Sequence, residues 1–178
     1  MNDIFPAPGL IGLTQISGSV GAGIRLGQFL NGDGFSLFEH AFVSLGNGQI
    51  LEAEPGGARI VPLHYRPASV YWCEHIYDLL GSKPATPGWT DTVVKLGATY
   101  KGIKYSFLDY DALVAHRLHL PIPGLEHFIA DTGHMICSQI ADDFYLKLGV
   151  EVFTDKRWTG FVTPGSLWKR DLELAKVG

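Results

Sequence analysis

Two short segments of this chain carry residue types suited to covalent catalysis. Cys137 opens a segment whose apolar positions are Ile140, Ala141, Phe144, Tyr145 and Leu148. Those lie three, four, seven, eight and eleven residues on, so the spacing predicts a helix with Cys137 at the head of its inward stripe. A thiol there feels the positive end of the helix. That effect is worth about 0.3–1 kcal/mol, too little alone to carry a thiol from roughly 8.5 down past neutrality. A neighbouring imidazolium must supply the rest. A cysteine on an apolar helix face also has a bland role as a small core residue.

The second segment is His40 to Ala53, HAFVSLGNGQILEA. Two β-favouring runs flank Gly46-Asn47-Gly48, which predicts a hairpin. A three-residue turn places Phe42 opposite Glu52 and His40 opposite Glu54, with all four side chains on one face. His40 then has a carboxylate to hold one ring N–H and fix which nitrogen faces a nucleophile. A two-residue turn at Asn47-Gly48 instead shifts the register and turns Glu52 away. Without a nucleophile near it, the same hairpin is an ordinary polar surface element.

Other clusters are weaker. His116, His119, His127, His134 and Cys137 contain zinc ligand types, but Pro121, Pro123 and Gly124 interrupt them and the spacings match no common finger. The Gly-rich stretch Ser17 to Gly23 lacks the Lys-Ser/Thr ending of a phosphate loop. Cys73 lies in YWCEHIY, which reads as a buried strand. Asp109 and Asp111 read as capping residues at a helix start, and Trp72, Trp89, Trp158 and Trp168 are scattered between core and groove roles.

The elements that must position these groups follow from periodicity and breakers. Gly9 to Ile16 reads as a first strand, Ala22 to Leu30 as a short helix, Ala58 to Leu63 and Val70 to Ile76 as further strands. Gly81 to Gly88 reads as a loop, and Asp91 to Tyr100 and Ser106 to His119 as helices. The cysteine helix runs to about Leu148, with Gly149 as its cap. Val162 to Leu167 reads as an extended approach to a last short helix. The expected fold class is α+β: a small antiparallel sheet packed against the cysteine helix, one domain over residues 1–178.

Composition agrees. Of 178 residues, 46% are hydrophobic and 18% charged, enough apolar content for a core. A net charge of −4 gives no basic excess for phosphate, so nucleic acid is not an expected partner. Two cysteines make no disulfide framework. No Lys or Arg occurs in the first 24 residues, so no charged leader is expected and a cytoplasmic location is the default. No apolar run reaches membrane-spanning length.

Taken together, the segments resemble the NlpC superfamily of papain-like cysteine hydrolases. HAFVSLGNGQILEA is similar to that family's His strand, including the twelve-residue step from His40 to Glu52 and Gly32-Asp33 shortly before it. The usual order, with Cys ahead of His, is reversed here. His first, Glu next and Cys last is similar to the circularly permuted YiiX-like branch, as are Cys137-Ser138 and Thr163-Pro164-Gly165-Ser166-Leu167. The resemblance covers roughly residues 32 to 168. It implies a permuted papain-like fold and a Cys137-His40-Glu52 site, with Glu54, His134 and Ser138 as candidate lining residues. It further implies hydrolysis of a peptide or peptidoglycan-stem amide through an acyl-thioester, with no cofactor or metal. A lipid-directed acyltransferase or esterase is the alternative on the same scaffold, since lecithin–retinol-acyltransferase-like enzymes share the permuted order. A silent binding module is the alternative of another class. The Tyr that the ordinary family places ahead of its Cys, a second oxyanion donor, has no counterpart here.

Overall fold

The computed structural model describes residues 5–16, 36–54, 56–104, 135–157 and 159–177. Five strands form one antiparallel sheet in the order β4-β3-β2-β1-β5: β1 Ile11–Thr14, β2 His40–Gly46, β3 Gln49–Glu54, β4 Gly57–Pro62 and β5 Val70–Trp72. The described helices are α1 Glu74–Asp78, α2 Trp89–Ala98, α3 Cys137–Lys147 and α4 Pro164–Leu174. This is the α+β arrangement expected, with α3 against β2 and β3. The candidate helices at 22–30 and 106–119, Gly32-Asp33 and the histidines at 116, 119, 127 and 134 lie outside the described residues.

Period-two alternation decides the faces of the sheet. Ile11, Leu13, Ala41, Val43, Leu45, Leu51 and Ala53 are buried in one core with Ile140, Ala141, Phe144 and Tyr145 of α3. The opposite face carries His40, Phe42 and Glu52, also buried. The β2–β3 hairpin combines both anticipated turns. Asn47 (φ 51°) and Gly48 (φ 73°) make a two-residue turn whose positive φ values suit Asn and Gly. The register then shifts by one between Ser44 and Gly46, so that Ser44 faces Ile50, Val43 faces Leu51 and Phe42 faces Glu52. The irregularity restores the register that a three-residue turn would have set, and Glu52 stays on the His40 face.

Beyond shifts of one or two residues at element ends, as in the helix expected over Asp91 to Tyr100 and found at Trp89–Ala98, three segments depart from expectation. The strand expected over Val70 to Ile76 ends at Trp72. Cys73 still donates its N–H to Ile11, but Asp171 accepts the N–H of Ile76 and the chain coils into α1. Cys73 is therefore a buried residue at a helix entry and not a strand residue. The stretch expected to be extended up to Leu167 is helical from Pro164. Thr163 caps that helix by accepting the Ser166 N–H, and Pro164 supplies a preset φ at its first turn. The loop Gly81 to Gly88 contains a single 3-10 turn at Lys83–Ala85.

Candidate active site

The thiol comes from the first residue of α3. Apolar contacts of Ile140, Ala141 and Phe144 fix the helix on the sheet, and Gln139 accepts the Ile136 N–H to shape its entry. Cys137 is 2% exposed. Its sulfur accepts the backbone N–H groups of Ala41 and Ser138 and is hydrogen-bonded to the His40 imidazole. The first contact sets it beside the opening residues of β2, and the second is a free N–H of the helix's first turn. The Ser138 side chain is engaged elsewhere, donating to the Val162 carbonyl at 2.8 Å.

His40 opens β2 and is held between the sulfur and Glu52. Glu52 pairs across the strands with Phe42, so His40 is its diagonal neighbour on the same face. Nε2–H of His40 donates to Glu52 Oε2 at 3.4 Å, which leaves Nδ1 for the sulfur. Glu52 is fully buried and accepts four hydrogen bonds. Arg59 gives two to Oε1, from Nε at 3.0 Å and Nη2 at 2.8 Å. The Tyr65 hydroxyl gives one to Oε2 at 2.8 Å. Arg59 also bridges to Glu54, which completes a row of groups of alternating charge: Cys137, His40, Glu52, Arg59, Glu54.

This row sets the protonation states. Burial disfavours charge on His40, but the Cys137 thiolate and then Glu52 outweigh it and raise the imidazole to about 10. Burial likewise opposes a Cys137 anion, yet the His40 charge and the hydrogen bonds from His40, Ala41 and Ser138 lower the thiol. Glu52 is held at about 2, because donors from His40, Arg59 and Tyr65 overcome its burial. Both shifts run in the direction of a thiolate–imidazolium pair. Cys73 is the contrast: burial, then the charge of Asp171, push its thiol well up.

His40, Glu52 and Glu54 offer ligand atoms within 4.8 Å of one another, the geometry of a metal cluster. Arg59 stands among the two carboxylates as their cation, and Nε2 of His40 is committed to Glu52. Of the anticipated lining residues, Glu54 lies beside the site through Arg59, and His134 is outside the described residues. Arg59 and Tyr65 were not anticipated. The Arg59 signal lies in the pairing of β3 with β4: Glu54 opposite Gly57 puts Arg59 opposite Glu52. Tyr65 follows β4 in a loop, stacked on Phe42 at 5.0 Å, and no periodicity announces it.

Among the described residues no helix is long and apolar enough to cross a membrane. In comparisons with known proteins, no family model, curated protein or solved structure matches this chain.

Proposed function

We propose that this chain is a cysteine-dependent hydrolase that cleaves an amide bond, of peptide or peptidoglycan-stem type, through an acyl-thioester on Cys137. The observation that carries the reading is the hydrogen-bonded series Cys137–His40–Glu52, with the thiol lowered at a helix start and the imidazole raised. Groups shifted strongly by burial and a specific charge partner cluster at functional sites, and a lowered thiol is the reactive kind.

In the proposed reaction the Cys137 sulfur attacks the carbonyl carbon and the carbonyl π electrons move to oxygen. The N–H of Cys137, at the head of α3, is the candidate donor to that oxyanion. As the tetrahedral species collapses, the C–N bond breaks and the leaving nitrogen takes the His40 proton. Neutral His40 then removes a proton from water, whose oxygen attacks the thioester carbonyl. The C–S bond breaks, the acid leaves, and the thiolate–imidazolium pair returns. The His-Glu-Cys chain order and the motifs around each residue support placing this site on a permuted papain-like scaffold.

The test compares two thiols in one molecule. Near neutral pH, iodoacetamide followed by peptide mapping should modify Cys137 well before Cys73, and His40→Ala should slow Cys137 towards an ordinary thiol. Turnover of peptidoglycan fragments or acyl peptides should vanish with Cys137→Ala. Faster labelling of Cys73, or a Cys137 rate and pH profile untouched by His40→Ala, would reject the ion pair and leave a binding module as the better reading.

A further inference from the structure

We infer that Arg59 and Tyr65 are positioning residues for this dyad: they fix Glu52 in place and take up part of its charge, so that the proton on His40 is retained chiefly by the Cys137 sulfur. The inference rests on the reading of Cys137 and His40 as a catalytic pair and adds a division of labour around it.

The geometry is uneven in a telling way. Three of the four hydrogen bonds to Glu52 come from Arg59 and Tyr65 at 2.8–3.0 Å, while that from His40 is the longest at 3.4 Å. An ionised carboxylate that takes two charge-assisted hydrogen bonds from one guanidinium, here both on Oε1, already has its strongest attraction satisfied. The Tyr65 hydroxyl competes with Nε2 for the same oxygen, Oε2. Tyr65 is itself fixed, stacked on the buried ring of Phe42 and against His64 at 4.2 Å. Among the described residues, the charged and titratable groups around the imidazole are thus Cys137 from α3, Glu52 and Glu54 from β3 and Tyr65, with Arg59 of β4 behind the carboxylates and His64 behind Tyr65. The chief causes raising His40 are the charge and hydrogen bond of Cys137, ahead of those of Glu52.

The consequence concerns the moment of acylation. Once the sulfur bonds to the carbonyl carbon and its charge passes to the carbonyl oxygen, the imidazolium loses its main counter-charge. Glu52, already shared, holds the proton back less than the sulfur did, and His40 becomes a stronger acid when a leaving group needs one. An unshared Glu52 would keep the imidazolium charged and blunt that step.

S-carbamidomethylation of Cys137 mimics the neutral sulfur, and NMR of the His40 ring reads the proton directly. In wild type, alkylation should move the His40 titration to distinctly lower pH. In alkylated Arg59→Gln and alkylated Tyr65→Phe, more of the Glu52 charge falls on His40, so the titration should lie about 0.5–1 pH unit above that of alkylated wild type. Arg59→Lys, which keeps the cation, should recover most of the difference. A purely structural role would lower thermal stability and leave the His40 titration in place, and that result overturns the inference, as would a downward shift in both variants. If alkylation itself leaves wild-type His40 unmoved, the catalytic pair fails first. If alkylation moves it but the variants do not, the pair stands and only the roles of Arg59 and Tyr65 fall.

Discussion

Glu52 joins the proposed chemistry of this molecule to its stability. A carboxylate with no exposed surface survives as an anion only because four donors converge on it. Its carboxyl is held at about 2 against an ordinary value of 4.5. A carboxylate lowered on folding stabilises the native state above its unfolded value. The contribution of Glu52 is therefore complete above about 4.5 and is lost as pH falls towards about 2. Glu52→Gln keeps a polar group of the same size but leaves Arg59 facing a neutral amide. At pH 7 it should lower stability by about 3 kcal/mol, the low end for breaking a buried ion pair. Melting curves of the two proteins should converge between pH 4.5 and 2, where wild type loses the same contribution. A melting difference that stays constant over that range would show that Glu52 is not the acid-sensitive group. On the proposed mechanism, turnover should fall on the order of 10²-fold or less, since His40 remains to carry the proton, whereas Cys137→Ala removes the proposed nucleophile outright.

Among the elements, the hairpin shows what a sequence can and cannot disclose. Gly46-Asn47-Gly48 announces a turn, and His40, Phe42, Glu52 and Glu54 announce one face, because both depend on local backbone chemistry. Which of two registers holds is settled by an irregularity at Ser44–Gly46, which local propensity does not specify. The same limit applies to the helix entry after Trp72: a carboxylate nearly a hundred residues away decides it. Arg59 was within reach through simple strand pairing, while Tyr65 depends on a loop path that carries no period. The sheet face beneath the site is equally specific. A Cβ on Gly12 would stand 2.3 Å from Phe42 Cζ and 2.9 Å from Trp72 Cζ3. Phe42 is buried, with Tyr65 stacked on one side and Trp72 edge-on to it. Its ring cannot yield without moving Tyr65 off Glu52. Gly12→Ala should therefore destabilise by about 1–3 kcal/mol in thermal unfolding, the usual cost of overpacking. It should also slow Cys137 alkylation more than an equally destabilising change remote from the sheet. An unchanged melting temperature would mean that the Phe42 face is looser than its contacts indicate.

At the scale of the whole molecule, a second buried carboxylate performs a structural task that mirrors the one at the dyad. Asp171 of α4 has no exposed surface. Its Oδ1 accepts the Ile76 N–H at 2.8 Å, and its Oδ2 accepts the Tyr71 hydroxyl at 2.7 Å and faces His75 Nδ1 at 3.4 Å. One side chain thus ties the last helix to β5 and to the first turn of α1. Nothing local in DLELAK distinguishes this aspartate from an exposed one, because all three partners lie 95 to 100 residues away. The tie also lies beside Cys73, whose thiol it helps to keep protonated. Asp171→Ala would leave the Ile76 N–H and the Tyr71 hydroxyl buried without their acceptor, at about 1–3 kcal/mol for each group left unsatisfied. The expected loss is about 2–5 kcal/mol in denaturant unfolding, with Asp171→Asn intermediate because its carbonyl oxygen can still accept. Loosening α4 should open the region around α1 before the Cys137–His40 contact on the far side of β1. Cys73 should then react with iodoacetamide at denaturant concentrations that leave wild-type Cys73 protected, while Cys137 keeps its neutral-pH reactivity. Simultaneous exposure of both thiols in Asp171→Ala would instead show that α4, the sheet and the dyad open as one cooperative unit.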